Sequence, residues 1–409
     1  MGREKKVLVS VAALLFVVLG FITVLRATKE FKQTDLTVYL AAAGSVQRGG
    51  EDLYRITNER EWNYVYLPLF AIVMVPFTKM PLFWAALVWY VLSVVFAAWA
   101  IRMSVTLVAG HQADRHRLWL YAVPPGLLAW PFITALTRGQ ASILLLWLVV
   151  AALFYTWRGR ELLAATCLAG AVVLKVFPAL LLGYYVWRRR WRCVIAACAG
   201  IVLGVFVLPA AVLGWHANVA RVREWATIVA KPALERDGAS PTSPVYSQLL
   251  DPISSRNQSL QAVLWRLGAP GIAPKLAAGV GIVMAVFTVF AGRPGRPHSE
   301  LLVVCAGLAW MLLVSPVSEN HYFVLLLLPL TALAGLSRQS SETSLRRIAR
   351  GTLILFAALC IPGKAGEYYG PLCWGTLVTW GVLLTAARRA VAEPGGATSR
   401  ASAPSLRVS

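Results

Sequence analysis

Charge is what this sequence has least of. Only 14% of its residues are Asp, Glu, Lys or Arg, where a soluble globular chain carries about 25%. The shortfall falls on the acids, 18 against 39 Lys and Arg. Histidine is scarcer still, five in 409 residues, and no His/Cys set stands at zinc-ligand spacing, which argues against zinc chemistry. No Gly-rich phosphate-cradling motif is present, which argues against ATP-driven chemistry. Cys167, Cys193, Cys198, Cys305, Cys360 and Cys373 all lie in or beside apolar segments. They read as small buried hydrophobes and disclose no redox compartment. No internal repeat is visible.

What is plentiful is apolar. Hydrophobic residues make up 58% of the chain, and the mean hydropathy is +0.65. Val7–Leu25, Phe83–Ile101, Cys193–Leu213 and Ile272–Ala291 each approach or exceed the roughly 20 residues that cross a bilayer core. The first block lacks a small-x-small cleavage site and runs into Arg26 and Lys29, so it reads as a span, not a cleaved signal. The expected fold is all-α and integral to the membrane, with about twelve crossings and both ends cytoplasmic. We place them at 7–25, 82–101, 118–136, 140–156, 162–176, 177–187, 193–213, 272–291, 301–316, 321–336, 351–362 and 371–387. The pair around Lys175-Val176-Phe177-Pro178 could instead be one span with a proline kink. Two crossings are preferred because they send Arg158, Arg160 and Arg188–Arg192 to one side.

That layout explains the formal charge of +21. The inner segments 1–6, 102–117, 157–161, 187–192, 292–300, 337–350 and 388–409 hold more than half of the Lys and Arg but only a third of the acids. This is the positive-inside pattern, and attraction to anionic membrane lipids adds to it. Nucleic-acid binding needs a basic face with base-reading or stacking groups. Arg188–Arg192 is only a five-residue loop between spans, so no nucleic-acid partner is expected. Residues 1–392 form a single transmembrane domain on this reading, with outer loops 26–81 and 214–271. The low-complexity stretch 393–409 reads as a disordered cytoplasmic tail. Within the loops, 68–80 reads as an interfacial helix, Gly238–Pro244 as flexible, and Asn257–Trp265 as an amphipathic helix.

The candidate functional residues are polar groups placed where a bilayer makes them costly. Asp35 follows the first span and precedes an apolar helix. It can present a carboxylate to a lipid headgroup, or Thr34 or Asp35 can simply cap that helix. Lys175 lies in an apolar run without an acid nearby in sequence; such a residue marks a functional site or a snorkelling side chain. Arg138-Gly139-Gln140 puts an arginine on the outer side, against the charge rule. Ser315–Tyr322 is the densest polar cluster between two spans and supplies Glu319, Asn320, His321 and Tyr322; Arg256 and Asn257 would form a further wall. Lys and Arg suit a phosphodiester or diphosphate, and a carboxylate suits deprotonation of an attacking hydroxyl.

At these residues the chain resembles glycosyltransferase family 87, within the GT-C superfamily of membrane glycosyltransferases. The resemblance runs from about residue 8 to residue 388. It is carried by Asp35 with Tyr39, Asp52-Leu53-Tyr54, Tyr66-Leu67-Pro68-Leu69-Phe70, Arg138-Gly139-Gln140 and Leu174–Pro178. The Arg188–Arg192 loop, Asn257–Leu260, and Ser315-Pro316 leading to His321-Tyr322 complete it. The chain departs from the family where Leu67-Pro68 replaces a frequent double proline, Ala141-Ser142 a frequent Asn, and Glu319 a frequent aromatic. The resemblance implies a GT-C fold and inverting transfer of a hexose, mannose in this family, from a polyprenyl-phosphate donor to a lipid or glycan acceptor. It implies Asp35 as the catalytic base, Lys175 near the donor phosphate and His321 in the donor pocket; Arg138 and Gln140 are expected beside Lys175 at that phosphate. Glu319, Asn320, Tyr322, Arg256, Asn257, Tyr66 and Tyr39 are the expected substrate-binding residues. No metal or cofactor is expected, and the site would face the non-cytoplasmic side of the cell membrane. The alternative is a transporter or flippase of an anionic lipid-linked sugar, which would use the same cations but needs a polar path through the bilayer midplane.

Overall fold

The structure, a computed structural model, describes residues 3–29, 34–109, 114–234, 254–292, 297–361 and 363–392. Gly238–Pro244 and 393–409 lie outside them. Helices dominate, and the described residues contain no β-strand, only two isolated bridges. In chain order the helices are α1 (Arg3–Thr28), α2 (Asp35–Gln47), α3 (Pro68–Thr78), α4 (Leu82–Ala109), α5 (Asp114–Leu127), α6 (Ala129–Thr137) and α7 (Ser142–Trp157). Then come α8 (Glu161–Leu174), α9 (Leu180–Trp187), α10 (Trp191–Leu213), α11 (Trp215–Trp225) and α12 (Leu260–Arg266). The last five are α13 (Ala273–Ala291), α14 (Pro297–Val314), α15 (Leu327–Gln339), α16 (Thr343–Cys360) and α17 (Pro371–Ala392).

Each expected crossing overlaps helix among the described residues, but few helices are long and apolar enough to span a bilayer. By length and composition four qualify, Leu82–Ala109, Trp191–Leu213, Ala273–Ala291 and Asn320–Gln339, or six if two bent pairs each count as one. One bent pair is α5 with α6, turned by 64° at Leu128; the other turns by 98° after α16. The candidate span Asn320–Gln339 is wholly enclosed: Phe323–Leu328 are buried, and α15 packs against α4, α5, α14, α16 and α17. A helix apolar on every side belongs inside a bundle, so this one is the centre of the core.

The chain turns back at Lys175. The residue is extended (φ −149, ψ 132) and stops α8, and Pro178 lies in a 3-10 turn ahead of α9. Glycines set the packing of α8 on α10: a Cβ on Gly200 would lie 2.8 Å from Ala169, and one on Gly204 2.8 Å from Val173. Contact positions rise together along both helices, so they run parallel. The chain therefore reverses both before and after α9, and Arg190 at the far turn reaches Glu161 at 3.8 Å. Lys175 thus sits at a sharp turn between separate helices, with no continuous kinked span through it.

Charge is sorted between the two ends of the bundle. At one end Arg188 grips Glu300 with Nε at 2.8 Å and Nη2 at 2.5 Å, Arg389 pairs with Glu342, and the Arg338 guanidinium lies 4.5 Å from the Trp119 ring. The charged residues among these come from segments expected to be cytoplasmic. The opposite end collects the described residues of the two long loops. α3 starts at Pro68 and packs along α2. In the second loop the expected amphipathic helix shortens to α12, capped by Ser259, whose hydroxyl accepts from the Ala262 N–H.

Candidate functional site

The loop end brings together residues far apart in sequence. Asp35 opens α2, where its backbone N–H donates to the Arg138 carbonyl at 2.9 Å. Arg138 Nε donates to Asp35 Oδ2 at 3.1 Å, and both side chains are shielded, 17% and 16% exposed. No described group bonds Oδ1. Neither Thr34 nor Asp35 caps α2 with its side chain, so the capping alternative does not account for Asp35. Gly139 makes the Arg138 turn possible: its φ is +65 and a Cβ there would stand 3.0 Å from Leu36 Cβ. Its carbonyl accepts from Trp89 Nε1 at 2.9 Å.

Behind this pair stands an aromatic layer. The Tyr39 hydroxyl accepts from the Ala141 N–H at 3.3 Å, lies 3.1 Å from the Tyr66 hydroxyl, and donates to Gln140 Oε1 at 3.4 Å. Gln140 is buried and spends its side chain here, on Tyr39. Burial pushes the Tyr39 and Tyr66 phenols well above their ordinary range, so both stay neutral donors. The Lys175 ammonium sits 3.2 Å from the centre of the Tyr322 ring and 5.7 Å from that of Tyr66, close enough for cation–π attraction. Tyr322 stacks on Phe177 at 6.1 Å. Burial pushes the ammonium of Lys175 down, against the pull of Glu319 and Asp35. Burial likewise pushes the Glu319 carboxyl up, countered by Arg138, Lys175 and Arg256. Asp35, Arg138, Lys175 and Glu319 therefore share one electrostatic cluster, with exposed Arg256 at its edge.

His321 is buried, yet neither ring nitrogen has a hydrogen-bond partner. Glu319 Oε2 lies 3.3 Å from its Nδ1 but out of line for a bond. Asn320 turns away from the cluster and donates to Glu367 Oε1 at 2.6 Å. Asn257 is a staple: its amide donates to the Pro316 carbonyl at 3.0 Å, and its Oδ1 accepts from the Ser318 and Ser259 N–H groups. Its backbone pairs with that of Glu319 as a bridge and so holds the Glu319 main chain from the second loop.

Three contributors escaped the sequence reading. Glu367 also accepts from Trp130 Nε1 at 3.2 Å, and its carbonyl accepts from Gln258 Nε2 at 2.7 Å, joining α6, the second loop and the 319–321 turn. Trp62 lies 5.1 Å from the Arg138 guanidinium. The third is an apolar groove of roughly 860 Å³, walled by Ala277–Val286 of α13, Trp310–Val317 and Val173–Leu180, with Lys175, Tyr66 and Tyr322 at its polar end. The only signal for Glu367 was an acid between two apolar runs, and the groove has none, since its walls read as ordinary spans.

Many apolar helices with a polar cluster at one end form a multi-pass membrane protein, and comparison with known proteins makes its class that of the membrane glycosyltransferases. The model of glycosyltransferase family 87 matches residues 64–316, more than half of the chain, and the protein belongs to that family. It is similar to a polyprenol-phosphate-mannose-dependent alpha-(1-2)-phosphatidylinositol pentamannoside mannosyltransferase of Mycolicibacterium smegmatis, 26% identical over 301 residues covering 72% of this chain and 67% of the relative. No solved structure matches. Tyr66, Arg138, Gln140, Lys175, Arg256 and Asn257 fall within the family match; Asp35, Tyr39 and Glu319–Tyr322 fall outside it.

Proposed function

We propose that the protein transfers a hexose, mannose on the strength of its relative, from a polyprenyl-phosphate donor to a hydroxyl of a lipid or glycan acceptor on the non-cytoplasmic side. One observation carries the reading: Lys175, at the polar end of an apolar groove, shares one electrostatic cluster with Asp35, Arg138 and Glu319. Such a groove takes the polyprenyl chain and leaves its phosphate at Lys175, the cation at its mouth. Buried His321, with both nitrogens unpartnered, carries a desolvation cost of roughly 1–3 kcal/mol that sugar hydroxyls would relieve.

In the proposed reaction Arg138 holds Asp35 by Oδ2 and leaves Oδ1 to take the proton of the acceptor hydroxyl. That oxygen attacks the anomeric carbon from the face opposite the phosphate. The carbon–oxygen bond to phosphate breaks, and its electron pair leaves on the phosphate, whose growing charge Lys175 stabilises. One base suffices for inversion, whereas retention would usually recruit a second carboxylate as nucleophile. Glu319, its backbone held by Asn257, serves as a hydroxyl acceptor at the sugar. The cations already on the protein complement the phosphate, so the reading calls for no metal ion.

The test supplies the purified full-length chain with a polyprenyl-phosphate β-mannose and a lipid-extract acceptor, and reads the product anomer by NMR. An α-linked product supports the proposal. A β-linked product overturns inversion, and movement of the donor across a vesicle without transfer favours the transporter.

A further inference from the structure

At the opposite end of α8 from Lys175, about 21 Å away for a helix of 14 residues, lies a second cleft that the transfer reaction does not use. It opens between the beginnings of α8 and α10, measures about 710 Å³, and is lined by Gly159–Leu163, Arg192, Ile195 and Ala196. The two parallel helices touch through Ala169 and Gly200, and the cleft lies at their N-terminal ends. Its floor is apolar and outward-facing, with Leu162 72% and Ile195 68% exposed. Its head is basic. Glu161, the carboxylate in the wall, is engaged by Arg190 at 3.8 Å. Arg160 and Arg192 are exposed and have no acidic partner within 4.0 Å among the described residues.

We propose that this cleft holds an anionic phospholipid of the inner leaflet, its phosphodiester between Arg160 and Arg192 and an acyl chain along Leu162, Leu163 and Ile195. The charges select the headgroup: two cations without carboxylates call for an anion, and a zwitterionic headgroup would set its ammonium against them. The apolar floor selects a lipid over a free phosphate, which would leave Leu162 and Ile195 uncovered. Basic pockets between helices at the cytoplasmic surface commonly take such headgroups. The proposal rests on the end-to-end membrane arrangement and is independent of the transferase chemistry.

The test uses the full-length protein in neutral detergent at about 0.5 M salt, where screening within roughly 4 Å removes diffuse attraction. Dioleoylphosphatidylglycerol or dioleoylphosphatidylcholine is added, and bound lipid is counted by native mass spectrometry. One phosphatidylglycerol should remain per chain and phosphatidylcholine should not. A contact ion pair at an exposed site is worth up to about fivefold in affinity, so Arg160→Gln with Arg192→Gln should weaken retention by up to about 30-fold. Arg102→Gln with Arg347→Gln removes the same charge from that end and should change nothing, and thermal midpoints of both variants check that they fold. Equal losses in the two double variants, equal binding of phosphatidylcholine, displacement by inorganic phosphate, or preference for a polyprenyl monophosphate would each overturn the assignment.

Discussion

Asp35→Asn separates the chemistry of the carboxylate from its structural part. The N–H of residue 35 bonds the Arg138 carbonyl at 2.9 Å through the backbone, which the substitution leaves alone. No cap is lost, because the side chain caps nothing. The asparagine oxygen can still accept from Arg138 Nε, so the change is from a charge-assisted to a neutral hydrogen bond in a shielded pair, about 1–2 kcal/mol. Arg138 keeps its contact with Trp62. The rate is another matter. A general base contributes on the order of 10²–10⁴, which raises the barrier by about 2.7–5.4 kcal/mol. Turnover of a polyprenyl-phosphate mannose should therefore collapse while the thermal midpoint in detergent falls by only a few degrees. The assay is single-turnover transfer of radiolabelled sugar, with Glu319→Gln measured beside it. Near wild-type transfer by Asp35→Asn and a dead Glu319→Gln would mean that Glu319 is the base. Activity in both would remove the mechanism.

Four other outcomes follow from the geometry. Lys175→Ala should raise the donor KM about 10–100-fold, the worth of a hydrogen bond to a charged group, and leave the thermal midpoint nearly unchanged. Because burial holds the free Lys175 ammonium below its ordinary range and a phosphate would raise it again, donor affinity should be full at acidic pH and decline as pH rises from neutrality toward the usual lysine range. Lys175→Arg should flatten that profile. Gly139→Ala forces a non-glycine into positive φ, about 1–2 kcal/mol, against Leu36, so it should lower both the thermal midpoint and the rate. For sidedness, Ser45 is a poor labelling position because it is buried and bonded to Asp52. Exposed Glu51→Cys should instead label from outside and Arg347→Cys only from the cytoplasm, in a background lacking the native cysteines; the reverse would invert the site.

The sequence by itself determined the membrane class, the helical character and the sorting of charge. A bilayer penalises polar groups so strongly that composition and hydropathy record it directly. The same penalty exposed Asp35, Arg138, Lys175 and the Glu319–Tyr322 turn as polar residues out of place, and motif order added the family. Only the tertiary structure decided their partners. Arg138 turned out to hold Asp35 across 103 residues, Asn257 and Asn320 to hold protein groups, and Gln140 to hold Tyr39, because a side chain's partner depends on how distant helices meet. The groove and the enclosed helix α15 were invisible for a related reason. Hydropathy registers that a surface avoids water and is blind to whether lipid, a neighbouring helix or a bound chain covers it, since all three are equally apolar.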